Sequence, residues 1–251
     1  MKQKLESLRD AGISHIPKTK PKPAAKAQST VAAEVALSCP APAASREIPA
    51  PFSPLPVSRS LPHASREEAL AEVAQRVAAC TRCPALVANR TQTVFGTGNP
   101  HSKLVFLGEA PGADEDRQGE PFVGRSGQLL TDIITKGMKL RREDVYILNI
   151  LRCRPPDNRP PLPAESVNCR EYLDAQLAII QPQFICCLGA SAAKNLLNVD
   201  TAIGELRGRM IDFNGMRVLC TYHPAYVLRN PPAKKHVWDD IQILMAEMGM
   251  K

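Results

Sequence analysis

LVFLGEAPGADEDRQGEPFVG, running from Leu104 to Gly124, is the stretch from which the architecture of this chain can be read. Its first four residues are apolar, few and partly β-branched, and Gly108 closes them, which is the pattern of a short buried strand. Beyond that strand, Gly108, Pro111, Gly112 and Gly119 interrupt any regular period. The remainder therefore reads as a loop carrying five carboxylates: Glu109, Asp114, Glu115, Asp116 and Glu120. In an arbitrary chain such a loop is more often a solvated acidic surface. A carboxylate at the carboxyl end of a parallel strand, however, stands where open α/β sheets bind their ligands.

Working outward, strand and helix signals alternate. Upstream, Ser65 and Glu68 fit a capping box, and Leu70, Val73 and Val77 form a helical stripe that runs into Cys80. Downstream, Ser126 is expected to cap a helix with Leu129, Leu130, Ile133, Ile134 and Met138 on its inner side. Further strands are expected at 145–151, 184–188 and 216–221, and further helices at about 163–180, 191–197 and 234–248. This alternation predicts an α/β fold, a three-layer α/β/α sandwich around a parallel sheet.

Residues 1–65 differ in kind. They hold ten of the 23 prolines and nine Lys and Arg against four acidic residues, so they carry +5 of the net +7. Without sustained apolar periodicity they cannot bury enough surface to offset their ordering entropy, and they read as a mostly disordered arm ahead of a domain spanning 66–251. A short helix within 1–15 would have Leu5, Leu8 and Ile13 as its apolar positions. A basic arm suits salt-dependent attraction to nucleic acid, a protein partner, or a plain linker. No run approaches the roughly 18 apolar residues that span a bilayer, and no apolar signal region comes after the charged first residues. A cytoplasmic monomer is expected, nucleoid-associated if bacterial.

Eight cysteines in such a compartment call for another explanation than disulfides. Cys80 and Cys83 form a CxxC, while Cys153 and Cys169 flank a proline-rich segment. Two separated pairs suit zinc or an iron–sulfur cluster, and spacing alone permits both. Cys186, Cys187 and Cys220 lie within apolar strands and read as small hydrophobes; Cys39 lies in the arm. Four positions also gather at one sheet edge, and three of them can carry polar function: Glu109 after the first strand, Asn149 near the end of the second, Gly189 after the third and His223 after the fourth.

Four blocks, GEAPGADED (108–116), PFVGRSGQLL (121–130), NILRCRPPDNR (149–159) and TYHPAYVLR (221–229), resemble the signature blocks of family 4 uracil-DNA glycosylases. The resemblance covers about 74–248. It implies a central four-stranded parallel sheet, a [4Fe–4S] cluster on Cys80, Cys83, Cys153 and Cys169, and excision of uracil from DNA. A self-trapping relative in the superfamily has glutamine where this chain has Ala110, and a basic insertion with a nucleophilic histidine near 154–163. RPPDNRPPLP contains no histidine, so a turnover enzyme is expected.

The resemblance also assigns roles. Gly108, Ala110, Phe122, Asn149 and His223 would surround a flipped uracil, with Phe122 stacking on it and His223 donating to its O2. Glu109 would position the attacking water, and Glu115 would assist it or form the wall near uracil C5. Arg152, Arg154, Arg159 and Arg229 would contact DNA, and Leu228, with Tyr226 beside it, would fill the vacated stack. A non-catalytic iron–sulfur or zinc module that binds DNA is the alternative. It has no need for a carboxylate, an amide and an imidazole at three strand ends.

Overall fold

The structure is a computed structural model and describes residues 65–250. The arm, the short helix expected within 1–15 and Cys39 lie outside the described residues. Six strands form one sheet: β1 Thr97–Gly98, β2 Leu104–Gly108, β3 Tyr146–Asn149, β4 Phe184–Leu188, β5 Met210–Phe213 and β6 Met216–Thr221, in the spatial order β1-β3-β2-β4-β6-β5. The four expected strands are the parallel centre, β3-β2-β4-β6.

The sheet has six strands rather than four, because an antiparallel strand covers each edge. The β5–β6 edge had a local signal. Asn214-Gly215 separates two runs of mixed apolar residues, and both turn residues adopt positive φ, as a two-residue hairpin of this type requires. β1 is only two residues long and had none.

Strand β2 shows why the sheet is covered on both faces. All five of its residues are buried, and alternate side chains enter different cores. Val105 and Leu107 pack with Leu173, Leu177 and Ile180 of the Pro163–Ile180 helix and with Ala193 and Leu196 of the Ala190–Leu197 helix. Leu104 and Phe106 pack on the other side with Leu130, Ile134, Val237, Ile241 and Leu244. The three-layer expectation is met in this pattern.

The upstream capping box forms: Ser65 Oγ accepts from Glu68 N at 3.2 Å, and Glu68 Oε2 accepts from Ser65 N at 2.9 Å. The acidic stretch is not all loop. Ala113–Gln118 is a short helix, entered at Gly112 and closed by Gly119 with φ 79°. Nor does Ser126 cap the next helix. That helix is Arg125–Asp132 with Gly124 at its cap, because Glu115 already binds the Gly124 amide and Ser126 falls within the first turn. Short helices at Pro84–Asn89, after the CxxC, and at Pro224–Arg229, after His223, were likewise not anticipated. Among the described residues no helix is long and apolar enough to cross a membrane.

Candidate active site

The carboxyl ends of the parallel strands bring the expected residues together. Gly108 and Asn149 are register partners at the ends of β2 and β3. The Ile150 amide donates to Gly108 O at 2.9 Å and the Leu151 amide to Glu109 O at 3.0 Å, so the two strand exits are tied to each other. Gly108 cannot be another residue here. A Cβ on it would lie 2.3 Å from Asn149 Oδ1 and 2.6 Å from the Phe122 ring, so its bare backbone is a floor between amide and aromatic ring. Ala110 is half-buried and packs against the core next to this floor.

Asn149 is 2% exposed. Its Oδ1 is buried and has no hydrogen-bond partner. Leaving a buried acceptor unpaired costs about 1–3 kcal/mol, so a site that keeps one is shaped for a donor supplied from outside. Phe122 closes the other side. Its ring is buried, its backbone has φ 55°, and its centroid lies 5.6 Å from that of His223 at an interplanar angle of 32°.

His223 caps the Pro224–Arg229 helix: its Nδ1 accepts from the Ala225 amide at 3.1 Å. An accepting Nδ1 leaves the proton on Nε2, so the neutral ring presents a donor. Burial, with the nearby Arg229 charge, lowers its pKa to about 4. Gly189, at φ 95°, lets β4 turn away close beside it; a Cβ there would lie 3.0 Å from His223 Cβ.

Glu109 is half-buried, and burial raises its pKa, partly opposed by a hydrogen bond from Ser191. Both groups are thus disfavoured in their charged forms, with opposite consequences. His223 lowers stability as pH falls from about 6.5 towards 4, whereas Glu109 lowers it as pH rises through its elevated value.

The structure corrects the expectation for Arg152 and restricts that for Glu115. Glu115 is 8% exposed, and its carboxylate is fully engaged: Oε2 accepts from Gly112 N at 3.1 Å, and Oε1 from Val123 N and Gly124 N at 3.0 Å each. It ties two loops together, and both of its oxygens are committed to backbone amides. Arg152 is 1% exposed and donates to the Asn149 carbonyl and to Gln176 Oε1, so it faces the core and not phosphate. Arg159 is held in a two-pronged pair with Glu165 at 2.8 and 2.6 Å, which raises its pKa and lowers that of Glu165.

Arg154, partly exposed, donates to Asn158 Oδ1 at 2.8 Å. Arg229, Tyr226 and Leu228 are exposed on the helix after His223, Leu228 at 42%. Two supporting residues were missing from the sequence reading. Ser191, a few residues past the end of β4, had a positional signal. Arg142, which holds the Phe122 loop, had none.

Among the described residues no three Cys, His, Asp or Glu side chains stand close enough to share one metal ion. Two thiols of the expected cluster set nevertheless accept from N–H groups. Arg90 donates to Cys153 Sγ at 2.9 Å and Asn168 Nδ2 to Cys83 Sγ at 3.6 Å. Donors to sulfur favour the thiolate state that an iron–sulfur cluster needs, while burial pushes the Cys153 and Cys169 thiols up. Cys186 and Cys187 lie fully buried in β4, and Cys187 pairs with Cys220 across β4–β6, so these three keep to the core.

Known proteins share this arrangement of sequence. Residues 95–242 match the uracil DNA glycosylase superfamily. A type-4 uracil-DNA glycosylase of Thermotoga maritima is 47% identical over 168 residues, 66% of this chain and 86% of that protein. One from Archaeoglobus fulgidus is 41% identical over 192 residues, covering 73% of this chain and 96% of the relative. Another, from Saccharolobus solfataricus, is 39% identical over 187 residues, 71% and 86% of the two chains.

Proposed function

Because this chain belongs to the uracil DNA glycosylase superfamily, in its type-4 branch, we propose that it extrudes uracil from DNA and hydrolyses the N-glycosidic bond, leaving an abasic site. The observation that carries the residue-level reading is the orphaned Asn149 Oδ1. Uracil N3–H is the donor it lacks, and the amide NH₂ can in turn donate to O4. The Gly108 backbone gives the base a floor, and Phe122 gives it an aromatic face, a stack worth about 1–3 kcal/mol.

As the bond from C1′ to N1 breaks, its electron pair passes to the base and negative charge gathers on O2. His223 Nε2–H donates there, and a neutral ring serves because stabilising a developing anion requires a placed donor and not a transferable proton. Water attacks C1′, and Glu109, ionised, orients it and takes up its proton. Leu228 fills the space the base leaves, with Arg229 and Arg154 near the backbone phosphates. Residues 66–251 are the catalytic domain in this reading, a monomer acting on uracil-containing DNA. The charge of residues 1–65 adds salt-dependent affinity without entering the chemistry.

The roles of Glu109 and His223 predict the pH profile. Single-turnover excision should fall as pH drops through the raised Glu109 pKa, while His223 stays neutral down to about 4. Glu109→Gln should be slow and should lose that acid limb. A slow variant that keeps the same limb would remove Glu109 from the role of base.

Cys80, Cys83, Cys153 and Cys169 hold a [4Fe–4S] cluster in this reading. Hydrolysis moves no electrons, and the cluster ties the helix before the CxxC to the segment after Asn149. Protein prepared without oxygen should be brown, with four iron and four sulfide per chain as that cluster contains. Cys153→Ser should lose the colour and loosen the fold locally. Colourless protein with stoichiometric zinc would overturn the assignment.

A further inference from the structure

Phe122 is the stacking face of the proposed site, yet its backbone is one that L-residues rarely adopt. At φ 55° a non-glycine residue is strained and persists only where its surroundings hold it. Those surroundings grip the peptides on both sides. Arg142 Nη2 donates to the carbonyl oxygens of Pro121 at 2.7 Å and Phe122 at 3.0 Å, while its Nη1 donates to Thr131 Oγ1 at 3.0 Å. On the C-terminal side, the Glu115 carboxylate accepts from the Val123 and Gly124 amides. Gly127 leaves room for the loop; a Cβ on it would lie 1.9 Å from Phe122 O.

Among the described residues Arg142 forms no ion pair within 4.0 Å, so its donors go to two carbonyls and a hydroxyl. The guanidinium is partly buried and lies along an open cleft with Phe122, Val123, Gln128 and Thr131. One guanidinium nitrogen serves both carbonyls while the other is braced on Thr131, a fixed two-nitrogen span that lysine's single ammonium does not reproduce.

We propose that Arg142 is a positioning residue for base recognition: by clamping the carbonyls of Pro121 and Phe122 it holds the Phe122 ring in advance at the stacking distance from the flipped base. The inference rests on the reading of Phe122 as the stacking face. With Arg142 in place the ring is set before uracil arrives. Without it the Phe122 backbone relaxes towards ordinary φ values and the ring leaves the floor at Gly108.

A double-substitution cycle tests this, with two readouts: single-turnover excision, and inhibition by free uracil, which senses the base pocket without DNA contacts. Arg142→Gln should slow excision and weaken uracil inhibition by roughly tenfold each, the scale of losing much of one base–aromatic stack. Arg142→Lys should give a partial loss. In a Phe122→Ala background, Arg142→Gln should change either quantity by less than about twofold, because the ring it positions is gone. Affinity for uracil-free DNA should not move.

Additive effects in the cycle would overturn the proposal, as would slower excision with unchanged uracil inhibition. Unchanged excision and inhibition in Phe122→Ala alone would sink the stacking reading, and the positioning role with it. If Arg142→Gln does not fold, Thr131→Val removes only the buttress of the guanidinium. It should weaken uracil inhibition in the same direction, and unchanged inhibition there would also overturn the proposal.

Discussion

Asn149→Asp should lower single-turnover excision of uracil by about 10³-fold or more, and should shift the ratio of uracil to cytosine excision towards cytosine. Sites built to hydrogen-bond a substrate group reject a mismatched partner by as much as about 10⁴- to 10⁵-fold, because buried polar groups are left unpaired. Asn149 meets the conditions for that effect: it is 2% exposed and its Oδ1 has no partner within the protein. An ionised aspartate supplies only acceptors. It still accepts from N3–H but faces uracil O4 with like charge, and it adds negative charge where the leaving group is already becoming an anion. Cytosine presents an amino group that a carboxylate can accept from.

The substitution has a second signature. A carboxyl buried at this position has its pKa raised by desolvation, and once protonated it regains an O–H donor beside its carbonyl acceptor. The activity of Asn149→Asp, taken as a fraction of the unsubstituted protein's at the same pH, should therefore rise as pH falls. Matched uracil and cytosine oligonucleotides across a pH series provide the measurement. An unchanged uracil-to-cytosine ratio would mean that Asn149 does not read the base.

His223→Ala should slow the chemical step by about 10²- to 10³-fold, the range for removing one preorganised donor from a developing anion. The hydrogen bond from the Ala225 amide to Nδ1 is the reason to expect the full effect, since it fixes both ring orientation and tautomer before substrate binds. It is also a complication. The same bond caps the Pro224–Arg229 helix, and losing a cap costs about 1 kcal/mol of stability. His223→Asn separates the two: asparagine caps well but its shorter side chain does not reach the position of Nε2. It should keep the unfolding temperature close to the original and still lose the rate. If excision by either variant matches the unsubstituted protein under single turnover, His223 is not the donor.

Much of this molecule is written in local patterns. The apolar runs at 104–107, 145–151, 184–188 and 216–221 each carry enough buried, β-branched character to declare a strand. Their alternation with helical stripes determines the parallel centre and the edge at which Glu109, Asn149 and His223 meet. The Asn-Gly turn at 214–215 was equally legible and would have supplied β5, while two-residue β1 was beyond any periodicity. Which polar side chains are free was not legible. Glu109 and Glu115 look alike as carboxylates of one acidic stretch, and Arg152 looks like a phosphate contact beside Cys153. Only the folded chain shows Glu115 held by three amides, Arg152 turned inward to Gln176, and Arg142 reaching back 20 residues to Phe122. The physical reason is one of range. Backbone period and burial are properties of neighbouring residues, whereas the hydrogen-bond partner that commits or frees a charged group comes from wherever the sheet and its helices bring the chain back upon itself.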